Sequence, residues 1–292
     1  MGGLTIPLLV VAIGLGAAMG RRTDGRPLAS RLWRVIYWSN LPLAPVLVAA
    51  APVGEVGGAV VACYLALTVT VIGVQLYARH RFTDTAQQAA FQLSATWANT
   101  GWLGPPVVVA VLGDDHLPIA LLYATAISAP FNMLVNASLA AAHDRAHVLQ
   151  ILKVSIVRNH YLGPTLVGLV YGLAGGPVPA RLLDVAQVVI VAGAIPAFFG
   201  FGLVLARTSL VPDGTVGAAL ATRLVIAPGL LAAAGTLVAM PRAFVLQAGM
   251  ATGMNVLVLS NEHRLPLRPV VSTIFWGTLI VLLAAGTYLA LR

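Results

Sequence analysis

The chain has 292 residues, of which 59% are hydrophobic and only 9% are charged, with a formal net charge of +8. A soluble domain carries about a quarter charged residues, so this composition excludes a protein whose whole surface faces water. The basic excess is typical of a membrane protein with Lys and Arg in its cytoplasmic loops, and we expect no nucleic-acid partner. The lipid bilayer is the expected partner, and apolar runs of about 20 residues are the units to identify.

The first apolar run, 3–20, has no basic residue before it and is followed by Arg21 and Arg22. A cleaved signal peptide shows the reverse flanks, so the run predicts a first transmembrane helix. Each of the later apolar runs also predicts a spanning helix. Their bounds are 32–52, 56–78, 86–112, 117–141, 159–175, 181–205, 215–238, 243–261 and 269–290. We therefore expect an all-α membrane protein with ten transmembrane helices.

The polar connection 143–160 contains apolar residues in a pattern that predicts a helix lying in the membrane interface. His143, Asp144 and His147 have a spacing that suits a metal, but a solvated helix end is the favoured interpretation. We predict no metal site and no cofactor. Cys63 is the single cysteine, so no intrachain disulfide forms.

The basic residues indicate an orientation. With the N-terminus outside, the outer side keeps only Arg181, Arg242 and Arg292, as the positive-inside rule requires. We predict a multi-pass protein of the cell (inner) membrane with both termini outside. The basic residues then assigned to the inner side are Arg21, Arg22, Arg26, Arg31, Arg34, Arg79, Arg81, Arg145, Lys153, Arg158, Arg207, Arg264 and Arg268.

The two halves of the chain resemble each other. Prolines and an asparagine recur at intervals of 35 (42 − 7) and 57 (99 − 42) in the first half, and of 32 (196 − 164) and 59 (255 − 196) in the second. Five spans per half is an odd number, so the second copy must be inverted, as in many transporters. We predict a 5+5 inverted repeat with halves 1–142 and 143–292. The paired residues are Pro7 with Pro164, Pro42 with Pro196, and Asn99 with Asn255.

The fourth run contains two adjacent prolines preceded by glycines. Prolines lack an N–H and disfavour helical geometry in the preceding residue, so this helix is expected to break near mid-membrane. Unpaired backbone groups there cost several kcal/mol unless they line a polar cavity or bind a ligand. A proline kink satisfied by neighbouring helices is the alternative, and it is favoured for this helix taken alone. Candidates for substrate binding are Asn99, Thr100 and Gly101, and those for the break are Gly104, Pro105 and Pro106.

The ninth run carries polar and small residues at the equivalent position of the repeat. Two broken helices that cross would direct two helix N-termini, each worth roughly +0.5 of a charge, at one point. Such an arrangement suits an anion, and it favours a binding site over a kink. Candidates for substrate binding here are Gln247, Thr252 and Asn255, and those for the break are Gly249, Ala251 and Gly253.

Arg223 lies inside the eighth run, where a charged side chain is costly. It is either a counter-ion for an anionic substrate or a side chain that snorkels to the inner face, and the sequence supports both equally. None of the nine acidic residues maps to mid-membrane, which argues against an obligatory proton relay or a carboxylate-bound sodium ion. The coupling ion, H⁺ or Na⁺, is left open.

Other polar and aromatic residues have simpler interpretations. Asn132 and Asn136 lie one helical turn apart and are predicted to hydrogen-bond across helices. Trp97 and Trp102 flank Asn99 and either wall a pocket or pack.

The segment 95–113, ATWANTGWLGPPVVVAVLG, resembles the Asn-Thr-x-x-x-Gly-x-Pro signature of the auxin efflux carrier family, at Asn99, Thr100, Gly104 and Pro106. That family includes plant PIN carriers and bacterial organic-acid permeases. Segments 34–49, 193–207 and 246–280 also resemble it. The resemblance implies ten helices, with helices 4 and 9 broken and crossing at the substrate site. It also implies a scaffold of helices 1, 2, 6 and 7, against which a bundle of helices 3–5 and 8–10 moves.

This chain departs from the family at Ala251, where a proline is usual at the ninth-helix break. The second break is therefore expected to be less sharp than the first. The resemblance does not extend to an auxin substrate.

The leading hypothesis is a secondary transporter of a small organic anion such as a carboxylate, working by alternating access around the crossover of helices 4 and 9. A sodium-coupled carrier similar to bile-acid symporters is the alternative, and a membrane receptor without flux is a third candidate. The sequence lacks the usual hydrolase and metalloprotease motifs, so no enzyme is expected. Homodimer formation is left open.

Overall fold

The computed structural model describes residues 2–135, 162–206, 208 and 210–292, and its regular structure in these ranges is helical. The predicted interfacial helix at 143–160, the histidine pattern within it, and Asn136 lie outside the described residues. The helices are α1 (Gly2–Arg22), α2 (Arg26–Asn40), α3 (Ala44–Ala49), α4 (Gly57–Arg81), α5 (Thr85–Thr96), α6 (Gly104–Leu112), α7 (Asp114–Val135), α8 (Leu162–Leu173), α9 (Ala180–Leu205), α10 (Gly214–Ala234), α11 (Arg242–Ala248), α12 (Asn255–Glu262) and α13 (Leu267–Leu291).

Helices α1, α4, α7, α9, α10 and α13 are those, among the described residues, that are long and apolar enough to cross a membrane. The outer face of α4 shows why lipid must surround them. Val61, Leu65 and Val69 follow one another at four-residue intervals and are each more than half exposed. An apolar stripe of this kind is stable in hydrocarbon and unfavourable in water. The chain is therefore an all-α membrane protein, as its composition predicts.

Three predicted runs are interrupted rather than continuous. The run 32–52 is wrong as a single helix, because α2 starts earlier, at Arg26, and ends before Pro42. Pro42 and Pro45 have no N–H to donate, so α3 begins as a separate helix at Ala44. The fourth run divides into α5 and α6, and the ninth into α11 and α12.

Among the described helices, α1 and α9 pack together most extensively, and α2 also packs on α9. A Cβ atom at Gly16 would overlap the backbone carbonyl of Phe199, and one at Gly202 would overlap that of Ile13. Small residues allow such backbone contact between membrane helices, where hydrophobic driving force is weak. Short helix α8 packs on α3 in the same way, with Gly168 against the backbone of Pro45.

The broken helices α5, α6, α11 and α12 pack against α1, α4, α7, α10 and α13. Two of these neighbouring helices contain one π-helical segment each, Tyr123–Ser128 in α7 and Thr222–Ile226 in α10. The segment in α7 contacts α11, and the segment in α10 contacts α5. Such segments are frequent at functional sites, and here both lie against the interrupted helices.

Candidate functional site

The two helix breaks, at 97–103 and 249–254, pair with each other through their backbones. Ala98 and Thr252 form an antiparallel β-bridge between them. The second helix is interrupted at Ala251 although no proline is present, because α11 ends at Ala248 and α12 begins at Asn255. Backbone pairing across the bridge stabilises an extended segment without any need for a proline.

Two hydrogen bonds flank this bridge. The N–H of Asn99 donates to the carbonyl of Ala251 at 2.7 Å, and the N–H of Gly253 donates to the carbonyl of Trp97 at 2.9 Å. Backbone groups that lose their helical partners inside a membrane need partners of this kind. Asn99 and Gly253 therefore hold corresponding places in the two segments. Asn255, the predicted counterpart of Asn99, lies outside the bridge, at the start of α12.

The two asparagines singled out from the sequence have different surroundings. Asn99 is buried at the crossing, with 2% of its surface exposed. Asn255 is exposed at the first turn of α12, and Gly101 is exposed in the turn before α6. The crossing thus has a buried centre at Asn99 and accessible residues beside it.

Asn99 also shapes the turn between α5 and α6. Its backbone carbonyl accepts a hydrogen bond from the N–H of Gly104 at 3.1 Å, and its side-chain Oδ1 accepts from the N–H of Trp102 at 3.3 Å. The side-chain Nδ2 has no partner and is buried. A buried amide that leaves a donor unpaired is destabilising unless a water molecule or a ligand supplies the acceptor.

The start of α6 offers fewer free N–H groups than an ordinary helix N-terminus. Pro105 and Pro106 have none, the N–H of Gly104 is bonded within the turn, and that of Val107 donates to the carbonyl of Leu103 at 3.2 Å. An anion near this end would feel the helix dipole but could not be held by these four residues' amides. Side-chain donors must then contribute the specific contacts.

Gln247 is a second buried amide at the crossing. Its Nε2 donates to the carbonyls of Ala120 at 3.1 Å and Thr100 at 3.4 Å, which fixes its direction. Its Oε1 is buried without a partner. Gly104 makes room for this side chain, since a Cβ atom there would overlap the amide. One unpaired donor, on Asn99 within the turn, and one unpaired acceptor, on Gln247 against it, therefore belong to the same crossing.

A chain of polar side chains connects the turn to α7. Thr100 Oγ1 donates to Ser128 Oγ at 3.2 Å, and Asn132 Nδ2 donates to the same oxygen at 3.2 Å; all three are buried. The hydrogen bond described for Asn132 is to Ser128 of its own helix. Ser128 makes the interhelical contact instead. In the sequence, the position of Ser128 four residues before Asn132 is the feature that could have identified it.

The candidate residues of the ninth run make hydrogen-bond and packing contacts within the protein. Thr252 Oγ1 donates to the carbonyl of Ser94 at 2.6 Å, so its hydroxyl is engaged. A Cβ atom at Gly253 would lie 3.0 Å from the ring of Trp97, so this tryptophan packs against the second break. Gly249 is a residue of that break and packs near Pro228.

Arg223 is buried within the site, with 1% of its surface exposed. Its guanidinium donates to the backbone carbonyls of Thr96, Ala248 and Met250. This burial does not fit a side chain that snorkels toward water. Neither sequence interpretation, the counter-ion or the snorkelling side chain, anticipated that Arg223 bonds to backbone carbonyls. These carbonyls belong to other helices and to the second break, so their proximity to Arg223 depends on the fold.

The described residues contain no group of three or more His, Cys, Asp or Glu side chains that would hold a metal ion. The polar groups at the crossing are amides, hydroxyls, backbone groups and one guanidinium. They can hydrogen-bond a small solute, but they include no activated nucleophile with a neighbouring base.

This arrangement, two broken and paired helices within a bundle of apolar spans, is a recurrent feature of secondary transporters. The chain matches no known family model. It is 28% identical over 233 residues to an uncharacterized transporter of Methanothermobacter thermautotrophicus, which covers 77% of this chain and 74% of the relative. The helical fold, its apolar spans and this similarity together support a membrane transporter.

Proposed function

We propose that the protein is a secondary transporter of a small organic anion such as a carboxylate, working by alternating access around the crossing of α5–α6 and α11–α12. In this proposal ten spans form a 5+5 inverted repeat in the cell membrane, with halves 1–142 and 143–292. Spans 1, 2, 6 and 7 form a scaffold, and spans 3–5 and 8–10 form the moving bundle. The proposal places the chain near the auxin efflux carrier family.

The unpaired Nδ2 of Asn99 is the observation that carries the proposal. It is a buried donor at the point where the two broken helices pair, and a carboxylate oxygen is the acceptor that it lacks. The acidic side chains that the structure describes are all exposed, so none of them repels an anion at this point. Thr100, Gly101, Gln247, Thr252 and Asn255 are the further residues assigned to the substrate path.

Both unpaired amide atoms are covered in this conformation. A solute therefore reaches them only when the bundle moves relative to its surroundings, and alternating access provides such a movement. An inside-negative membrane potential favours anion export by about 2.3 kcal/mol per charge per 100 mV. Export needs no coupling ion, whereas uptake of the same anion needs a cation or a steep gradient.

The test is a proteoliposome flux screen with malonate, malate, other carboxylates and indole acids, with and without sodium and pH gradients. A hydrogen bond to a charged group contributes about 1.5–3 kcal/mol, so Asn99→Ala should lower the flux of the best substrate about 10- to 100-fold. Asn261→Ala is the matched control, because Asn261 is exposed on α12 away from the break. Wild-type flux in a normally inserted Asn99→Ala variant would contradict the site.

The screen also separates the competing functions. A carrier similar to bile-acid symporters would show flux only with a sodium gradient. A receptor would bind a ligand tightly without any flux. Flux of an anion in the absence of sodium supports the proposed carrier.

A further inference from the structure

Arg223 holds the C-terminal ends of both broken helices at once. Its Nη1 donates to the carbonyl of Thr96, the last residue of α5, at 3.3 Å. Its Nη2 donates to the carbonyl of Ala248, the last residue of α11. Its Nε and Nη2 also donate to the carbonyl of Met250, each at 3.4 Å. One side chain from α10 therefore joins the two breaks.

The electrostatics of these ends explain why a cation lies there. The last carbonyls of a helix have no N–H partner, and each helix C-terminus carries about −0.5 of an elementary charge. Two such ends meeting at one point sum to about one negative charge, which matches one guanidinium. The acidic side chains that the structure describes are exposed, so backbone carbonyls are the counter-charge that it shows for Arg223.

Backbone carbonyls at the ends of broken helices are also the groups that coordinate sodium in secondary transporters. A carbonyl cluster of this kind is suited to any small monovalent cation, because hard oxygen ligands favour hard cations. In this chain the cluster is filled by a cation that is covalently part of the protein.

We propose that Arg223 is a tethered cation, which occupies the carbonyl cluster where α5 and α11 end and takes the place of a mobile metal cation there. One consequence of this inference is that wild-type flux needs no sodium. This consequence rests on the proposed transport function. Its physical core is independent of transport. Removal of the guanidinium leaves a carbonyl-lined space that binds a free monovalent cation.

The test measures the thermal stability of the purified full-length protein as a wild type and as Arg223→Ala. The three media contain N-methylglucamine chloride, sodium chloride or guanidinium chloride. The chloride concentration is the same in all three and lies in the millimolar range. Loss of one partner from a buried charged arrangement is strongly destabilising, so Arg223→Ala should melt roughly 10 °C lower in N-methylglucamine. Guanidinium should restore more than half of this loss in a saturable way, and sodium should restore part of it.

Arg242→Ala is the matched control, since Arg242 is an exposed arginine at the other end of α11. The wild type and this control should melt at the same temperature in all three media. An Arg223→Ala variant that matches the wild type in N-methylglucamine, or that no cation stabilises, would overturn the proposal.

If Arg223→Ala does not fold, Arg223→Lys and Arg223→Met decide the question. Lysine keeps the charge and methionine keeps only the bulk, so the lysine variant should be the more stable and should not respond to guanidinium. Equal stability of the two variants would overturn the tethered cation.

A flux measurement is the last part of the test. A wild type that requires sodium for flux would overturn the consequence drawn for transport. Cation rescue in a protein that transports nothing would refute the proposed function and leave the role of Arg223 intact.

Discussion

Neutral amides, rather than carboxylates, occupy the buried centre of the crossing. An amide offers both donors and acceptors, so Asn99 and Gln247 can each hold the backbone with one atom and keep another atom unpaired. A carboxylate at either place would offer acceptors alone and would bring a negative charge toward the carbonyl ends of α5 and α11. The choice of amides therefore keeps the site compatible with an anionic solute.

The space around Gln247 gives a test at a single residue. A Cβ atom at Gly104 would overlap the Gln247 amide, whereas one at Gly101, three positions away, would meet nothing within 4 Å. Gly104→Ala must therefore displace Gln247 and break its bonds to Thr100 and Ala120, at about 1–3 kcal/mol. We expect its melting temperature to fall by several degrees and that of Gly101→Ala to stay within about 2 °C of the wild type.

Differential scanning fluorimetry of the two purified variants makes this comparison. Equal melting temperatures would show that the Gln247 amide is not held against Gly104, and the described geometry of the turn would then be incorrect.

At the scale of helices, the sequence indicates where the breaks fall better than how they are stabilised. The adjacent prolines predict the first break, and Gly249 and Gly253 mark the second in the absence of a proline. The bridge register and the bonds of Arg223 depend on which helices lie side by side. Local patterns do not contain that information, so the sequence does not show that Asn255 lies outside the bridge.

Continuous spans are predicted more accurately than interrupted ones. The ends of α9 and α13 lie within two residues of the predicted 181–205 and 269–290, because long apolar runs fix a spanning helix unambiguously. The predicted run 32–52 fails because hydropathy does not register the missing N–H groups of Pro42 and Pro45. Arg26 and Arg31 lie on the part of α2 that precedes the predicted run.

The contact between α1 and α9 gives a test at the scale of helices. A Cβ atom at Gly16 would overlap the carbonyl of Phe199, whereas one at Gly14 would meet nothing within 4 Å. Gly16→Ala must therefore separate the two helices, and overpacking of this kind costs about 1–3 kcal/mol. Gly14→Ala should instead stabilise the protein slightly, because alanine is the better helix former by about 1 kcal/mol.

Thermal melting of Gly16→Ala and Gly14→Ala shows whether the two helices are in direct backbone contact. The two variants share one helix and one chemical change, so any general effect on α1 is common to both. A Gly16→Ala protein as stable as Gly14→Ala would mean that α1 and α9 do not pack at this glycine.

For the whole molecule, the distribution of charge predicts an orientation and agrees with the dipoles of the helices. Arg21 and Arg22 end α1, and Arg79 and Arg81 end α4, so basic residues lie at helix C-termini where they are favourable. The predicted orientation places both of these ends inside. The loops that carry Glu55 and Asp115 are then outside, and both termini are outside.

Single-cysteine labelling tests this orientation in intact cells. Cys63 is fully buried, and Cys63→Ala gives a background without a reactive thiol. Glu55→Cys and Asp115→Cys, both at exposed positions, should react with a membrane-impermeant maleimide in intact cells. Asp24→Cys and His263→Cys, also exposed, should react only after the cells are permeabilised. The reverse pattern would invert the orientation. Each span moves the chain to the other side of the membrane, so two positions predicted on one side must be separated by an even number of spans. Different labelling of Glu55→Cys and Asp115→Cys, or of Asp24→Cys and His263→Cys, would therefore contradict the predicted number of spans between them.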